Sequence, residues 1–230
     1  MEKKTKALAE TLQSLVLQPN DAIRRILVVG CGDGEEAADL ADFFGCDVDA
    51  IDVQDYVRFR HSKVTFQQMD ARELRFDDDA FDIVWSFHAL EHIPEPERAI
   101  DEMRRVLRPL GAFCIGTPNR TRIIGYMTGR GATLREKIIW NIWDWRARLR
   151  GRFRNEYGAH AGFTSDELGA LCSRIGACES SSREYYDQLY PNHRGAIDLL
   201  VRSGLWQWAF PCNYYFGRKT PREARQEQAV

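Results

Sequence analysis

Hydrophobic and polar positions along this 230-residue chain follow two regimes that meet near Pro118. Before it, short apolar runs alternate with stretches whose apolar residues recur every three or four positions. Residues 4–18 set Leu8, Leu12, Leu15 and Val16 at helical spacing, and Pro19 with Asn20 breaks the pattern, so a helix is expected within residues 1–20. "RILVV" (25–29) reads as a buried strand and "EEAADLADFF" (35–44) as a helix with Gly45 just past its end. "DVDAID" (47–52), "KVTFQQMD" (63–70) and "FDIVWSF" (81–87) read as three more strands. "EPERAIDEMRRVLRPLG" (95–111) predicts an amphipathic helix with acids early and bases late, and "GAFCIGTP" (111–118) a fifth strand. Such alternation predicts an α/β fold, a doubly wound and mostly parallel sheet covered by helices on both faces.

After Pro118 the chain turns basic and tryptophan-rich, with ten Lys+Arg against three Asp+Glu between 120 and 160. Residues 119–160 are expected to form a helical lid or substrate insert. "TSDELGALCSRIGA" (164–177) restarts helical order, with Thr164 and Glu167 spaced as a capping box. "CESSSREYYDQ" (178–188) predicts a sixth strand, "RGAIDLLVRSGLWQW" (194–208) a helix and "FPCNYYFGRK" (210–219) a seventh strand. Residues 220–230 predict a flexible tail. The expectation is one domain over residues 1–230.

Composition narrows the class. Hydrophobic residues make up 44% and charged residues 29%, ordinary for a globular protein, and the formal net charge of −2 argues against a polyanion binder. Six cysteines include no C-x-x-C pair, so they read as reduced thiols of a cytoplasmic protein. The N-terminus lacks the apolar core of a signal peptide, and no run is long and apolar enough to span a membrane.

Between the first two strands lies "GCGDG", a glycine-rich turn of the kind that cradles nucleotides. A dinucleotide fold needs G-x-G-x-x-G, but Glu35 stands at the third glycine, where it would repel a pyrophosphate. No G-K-[ST] follows, which excludes a P-loop. A cofactor without phosphates fits the pattern Gly30, Gly32, Gly34 better. At these residues the chain resembles the class I S-adenosylmethionine-dependent methyltransferases. "VVGCGDG" is similar to their first motif, "DAIDV" to their second, and "MDARELRFDDDAFDIVWSFHALEHI" to their third and fourth. The group of small-molecule enzymes that includes those of ubiquinone biosynthesis is especially similar, and "HAGFTSDELGAL" resembles a later segment of it.

The resemblance implies a Rossmann-like, seven-stranded fold and S-adenosyl-L-methionine as cofactor. The implied cofactor residues are Gly30, Cys31, Gly32, Gly34, Asp52, Val53, Asp70, Ala71, Ser86 and Phe87. Glycines let the backbone approach a ligand closely. Asp52 stands where a carboxylate accepts both ribose hydroxyls, and Asp70 and the Ala71 N–H where they meet the adenine edge, with Met69 against its face. Ser86, Phe87 and His88 leave the strand edge at which open α/β sheets bind ligands. The family's acid two residues before the first glycine is replaced by Val28, which leaves the amino-acid end of the cofactor to the backbone near Gly30.

The expected activity is methyl transfer, by in-line displacement, to a small-molecule acceptor through oxygen. The alternative is a cofactor-binding scaffold or regulator without catalysis, and a nicotinamide-dependent oxidoreductase stands third. His88 and His160 are the candidate catalytic bases, His193 a weaker one, and no metal cluster is visible. The arginine-rich insert admits an acidic or lipid-linked acceptor, with peripheral membrane contact through residues 134–154. Nucleic acid is disfavoured for want of a recognised motif. Oligomeric state is left open.

Overall fold

The structure, a computed structural model, describes residues 1–126, 132–158 and 160–221. Its helices are α1 (Lys3–Leu15), α2 (Glu35–Phe44), α3 (Pro96–Val106), α4 (Leu134–Leu149), α5 (Ser165–Ser173), α6 (Ser182–Leu189), α7 (Arg194–Arg202) and α8 (Trp206–Ala209). Its strands are β1 (Arg25–Val29), β2 (Asp47–Asp52), β3 (Val64–Gln68), β4 (Phe81–Phe87), β5 (Leu107–Pro118), β6 (Gly176–Ser180) and β7 (Cys212–Lys219). Among the described residues they form one seven-stranded sheet in the order β3-β2-β1-β4-β5-β7-β6. β1 to β5 pair in parallel, and β7 runs antiparallel between β5 and β6. Strand order reverses between β1 and β4, so the carboxyl ends of these two strands open the crevice where such sheets bind ligands.

The period-two geometry of β1 divides the core. Ile26 and Val28 face one side, with Leu8 and Leu12 of α1, Leu40 of α2 and Tyr185 of α6. Leu27 and Val29 face the other, with Ile100 and Met103 of α3 and Leu168 of α5. All four strand residues are at most 1% exposed, which explains why β1 reads as an unbroken apolar run.

Three expectations are corrected. The helix expected over 95–111 ends at Val106, and β5 begins at Leu107. Pro109 forces the residue before it out of helical backbone, so the chain is already extended there. The strand expected over 178–188 stops at Ser180, and Ser182–Leu189 is helical. Tyr185, Tyr186 and Leu189 lie three and four positions apart and bury one helical face. The helix expected over 194–208 is broken between α7 and α8 by Gly204 at φ +74°. The Thr164–Glu167 capping box is present, and a second one, Thr133–Glu136, starts α4. The tail expected at 220–230 falls outside the described residues from 222 onward.

Candidate cofactor cleft and histidine pocket

The turn after β1 is built around glycine conformations. Gly30 has φ +76°, and a Cβ there would lie 2.2 Å from Cβ of Ala89. Gly32 has φ +52° with open space at its Cβ position, so its backbone borders the crevice. The amides of Gly30 and Cys31 both donate to the Ile51 carbonyl, at 2.9 and 3.0 Å. The Asp52 carboxylate, at the end of β2, accepts from the Gly32 amide at 3.0 Å and the Gln54 amide at 3.1 Å. Each oxygen keeps lone-pair capacity for a further donor. The aspartate thus fastens the turn and still presents acceptors.

A cleft of about 390 Å³ lies in front of this turn. Gly30, Gly32, Asp52, Val53, Asp70 and Ala71 line it, together with Met69 and His88. Four expected residues do not. Cys31 is 5% exposed, and burial pushes its thiol up to about 12. Gly34 turns toward the Phe59 carbonyl, 3.0 Å from its Cβ position. Ser86 is 1% exposed, and its hydroxyl has no hydrogen-bond partner among the described residues. Phe87 lines a separate aromatic cavity. Asp70 borders the cleft but is already engaged: Arg72 donates from Nε to both its oxygens at 3.1 Å, from Nη2 to Oδ2 at 2.7 Å, and from its amide to Oδ1 at 2.9 Å. This guanidinium also holds the carboxyl below its usual range. A ligand amino group would have to displace Arg72.

Val28 is fully buried beside Trp85 of β4, its register partner, and Trp85 in turn pairs with Cys114 of β5. Glu36, in the first turn of α2, sets a carboxyl group by Trp85 and within the field of His88. Burial pushes that carboxyl up to about 7. An acid is therefore present near position 28, delivered from the helix rather than the strand. In the sequence, Glu36 is indistinguishable from an ordinary first-turn glutamate.

His88 is the junction of the site. It has φ +53°, strained for a residue with a side chain, and lines the cofactor cleft and two further cavities. Its Nδ1 lies 3.3 Å from Oε1 of Glu91, and its Nε2 lies 3.7 Å from Sγ of Cys212. Its side chain is 41% exposed, and the Cys212 sulfur and the Glu91 carboxylate beside it raise its pKa. Glu91 is 4% exposed, and its Oε2 has no partner among the described residues. One cavity, of about 330 Å³, is bounded by Lys4, His88, Glu91, His92, Arg122 and His160. The His92 and His160 rings meet edge to face at 4.7 Å. Burial, with His92 next, pushes His160 below its ordinary value. The other cavity, of about 200 Å³, is lined by Phe87, Tyr185, Tyr186 and Tyr214.

Glu91, His92 and His160 place one ligand atom each within 4.8 Å of one another, a grouping hidden in the sequence because His160 comes from the far end of the insert. Lys4, His88 and Arg122 border the same space, and this positive surround suits an anion better than a divalent cation. Arg122, 3% exposed, ties the insert down by donating to Asp144 and the His160 carbonyl, both at 3.0 Å.

Residues 27–115 match a protein family described as a methyltransferase domain. That stretch, from β1 into β5, is therefore similar to a methyltransferase domain. The chain is 32% identical over 126 residues to the 27-O-demethylrifamycin SV methyltransferase of Amycolatopsis mediterranei, covering 50% of this chain and 46% of that protein. It is 36% identical over 115 residues to a probable S-adenosylmethionine-dependent methyltransferase of Mycolicibacterium smegmatis, covering 48% and 43%. The chain thus spans less than half the length of these curated relatives. Among solved structures, the plantazolicin methyltransferase BpumL in complex with SAH superposes with TM-score 0.64 at 16% identity, over 95% of this chain and 85% of that one. The [4+2]-cyclase SpnF superposes with TM-score 0.54 at 20% identity, over 94% and 79%. One fold thus carries two chemistries, and the side chains around the cleft must decide between them.

Proposed function

We propose that this chain is a methyltransferase that uses S-adenosyl-L-methionine to methylate a hydroxyl oxygen of a small, largely apolar acceptor bearing an anionic group. The observation that carries this reading is the junction at His88, where the cofactor cleft meets both the histidine pocket and the aromatic cavity. When bound, the cofactor supplies an already activated methyl group. The protein's task is then mostly to align the two partners for in-line displacement.

The residues fit these roles. Asp52 has the free acceptors that a ribose diol requires, and the open backbone at Gly32 admits a ligand at close range. Met69 and Val53 give apolar surface for a flat ring. Val28 leaves the ammonium of the methionine end to the backbone near Gly30. A hydroxyl gives up its proton as it is methylated, and His160, with its pKa lowered, is neutral near pH 7 and able to take it. His88, with its pKa raised by Cys212 and Glu91, is less suited to take the proton than His160. With Lys4 it favours a carboxylate or phosphate on the acceptor. The tyrosine-lined cavity receives the apolar body. A cytoplasmic location belongs to the same reading, resting on six unpaired cysteines. The burial of Val28 favours a second reading, a cofactor-binding scaffold without turnover.

The test is to incubate the protein with methyl-labelled cofactor and a panel of hydroxylated aromatic acids, and to measure S-adenosylhomocysteine and methylated product. Turnover is expected to fall on the acid side as His160 protonates, with an apparent pKa below its ordinary value. His160→Gln is expected to lower kcat by about 10²-fold, remove that acid limb and leave cofactor affinity unchanged. Unchanged turnover would remove His160 from the mechanism. Cofactor binding with no product from any acceptor would favour the scaffold.

A further inference from the structure

Helix α4 buries none of its residues. At 3.6 residues per turn, Leu134, Ile138, Ile142, Trp145 and Leu149 fall within one arc of about 80°. They are 74%, 52%, 50%, 45% and 85% exposed. The body of the protein is met from elsewhere on the helix. Asn141 accepts from the Gly125 amide at 2.7 Å, and Asp144 pairs with Arg122 and accepts from the Tyr126 hydroxyl. Single exposed apolar side chains are normal on a protein surface, but five in line along a whole helix make a patch that needs a partner.

Charge says what kind of partner. Exposed Arg135 and Arg146 flank the stripe, and Arg150, Arg152 and Arg154, also exposed, follow its end. The two acids of the helix are committed elsewhere: Glu136 closes the capping box with Thr133, and Asp144 is held by Arg122. A second copy docking through the same stripe would bring two such arginine sets together, which repel. The chain as a whole is at −2, so this positive field is local. No helix of the described residues is long and apolar enough to cross a membrane, so contact would be made along the surface. Tryptophan suits the boundary between headgroups and acyl chains, where one side of the ring is apolar and the other wet.

We propose that α4 docks the protein flat onto a bilayer of anionic phospholipid, with the stripe entering the headgroup boundary and the arginines meeting the phosphates. A groove of about 810 Å³ beside the helix, lined by Trp140, Trp143 and Tyr157, runs to Tyr126 and His160, which also border the histidine pocket. The helix residues that line it lie on the face of α4 opposite the stripe, so docking leaves the groove uncovered, and the docking itself does not rest on the methyltransferase reading.

The test needs neither cofactor nor acceptor. The protein is sedimented with phosphatidylcholine vesicles that either contain or lack phosphatidylglycerol. Retention by the anionic vesicles is expected to exceed that by the neutral ones at least about tenfold, and to weaken with salt. Ile138→Asp with Ile142→Asp, and separately Arg135→Glu with Arg146→Glu and Arg150→Glu, should each lower retention at least about tenfold at unchanged circular dichroism. Independently of any variant, brominated acyl chains should quench the tryptophan fluorescence of the native protein. Absence of quenching, or equal retention by both vesicle types, would overturn the proposal. So would a concentration-dependent dimer, without vesicle retention, that the paired aspartates dissolve; the stripe would then belong to a second copy.

Discussion

Leu40 and Leu149 are the same residue type on two helices, and they meet opposite fates. Leu40 of α2 is fully buried against the sheet, while Leu149 of α4 is 85% exposed. The contrast extends to their surroundings. From β1 to β5 apolar residues bury against both faces of the sheet, and the turns between are held by glycines and capped carboxylates. In the insert, order comes from a few polar ties to one buried arginine, and the apolar surface points outward. The first region spends its hydrophobic residues on folding. The second keeps them available for contact with something else.

Substitutions can break or sharpen this contrast. The largest effect is expected at the glycine turn. Gly30→Val would put a Cβ 2.2 Å from Ala89 at φ +76°, costing roughly 3 kcal/mol or more and abolishing cofactor binding. Thermal unfolding and calorimetric titration would read both, and a variant as stable as the wild type that still binds would mean the turn is not the cradle. Next comes the pair already named. Leu40→Ala should cost about 2–5 kcal/mol by leaving a cavity, whereas Leu149→Ala should stay within about 0.5 kcal/mol. Equal losses in denaturant titration would erase the distinction between the two regions.

A smaller effect, with a definite pH signature, is expected at Glu36. Its carboxyl has an ordinary value of 4.5 and is raised to about 7 in the fold. The folded state therefore holds the proton more tightly, and stability is lost as pH rises from about 4.5 through about 7. Glu36→Gln should flatten that decline and be the more stable protein above pH 7, by roughly 2 kcal/mol. Parallel stability profiles for the two proteins would show that Glu36 does not meet the buried environment described.

Legibility in the sequence followed the same divide. Strands β1, β2 and β4 and helix α2 were readable because burial on one or both faces imposes a period, and Gly30, Gly32 and Asp52 because a turn at positive φ and a carboxylate at a strand end leave few alternatives. Ser86 and Phe87 were expected in the cleft from the resemblance and their place at the strand edge, but Ser86 is buried and Phe87 lines the aromatic cavity. Asp70 was expected at the adenine edge and does border the cleft, but Arg72, two residues on, closes on it, a local side-chain pairing that periodicity does not register. The grouping of Glu91, His92 and His160 depends on where the insert returns to the sheet, which no local pattern encodes. α6 was mistaken for a strand because its tyrosines carry strand propensity; the spacing of Tyr185 and Leu189 was the stronger signal.

The central claim is that the crevice between Gly30 and Asp52 holds S-adenosylmethionine, and calorimetric titration tests it most directly. Micromolar binding of S-adenosylmethionine and S-adenosylhomocysteine is predicted, with no binding of NADH. Asp52→Ala should weaken both ligands at least about tenfold, since it removes charge-assisted acceptors worth roughly 1.5–3 kcal/mol each. Failure of the wild-type protein to bind either ligand, or affinity unchanged in Asp52→Ala, would contradict the account.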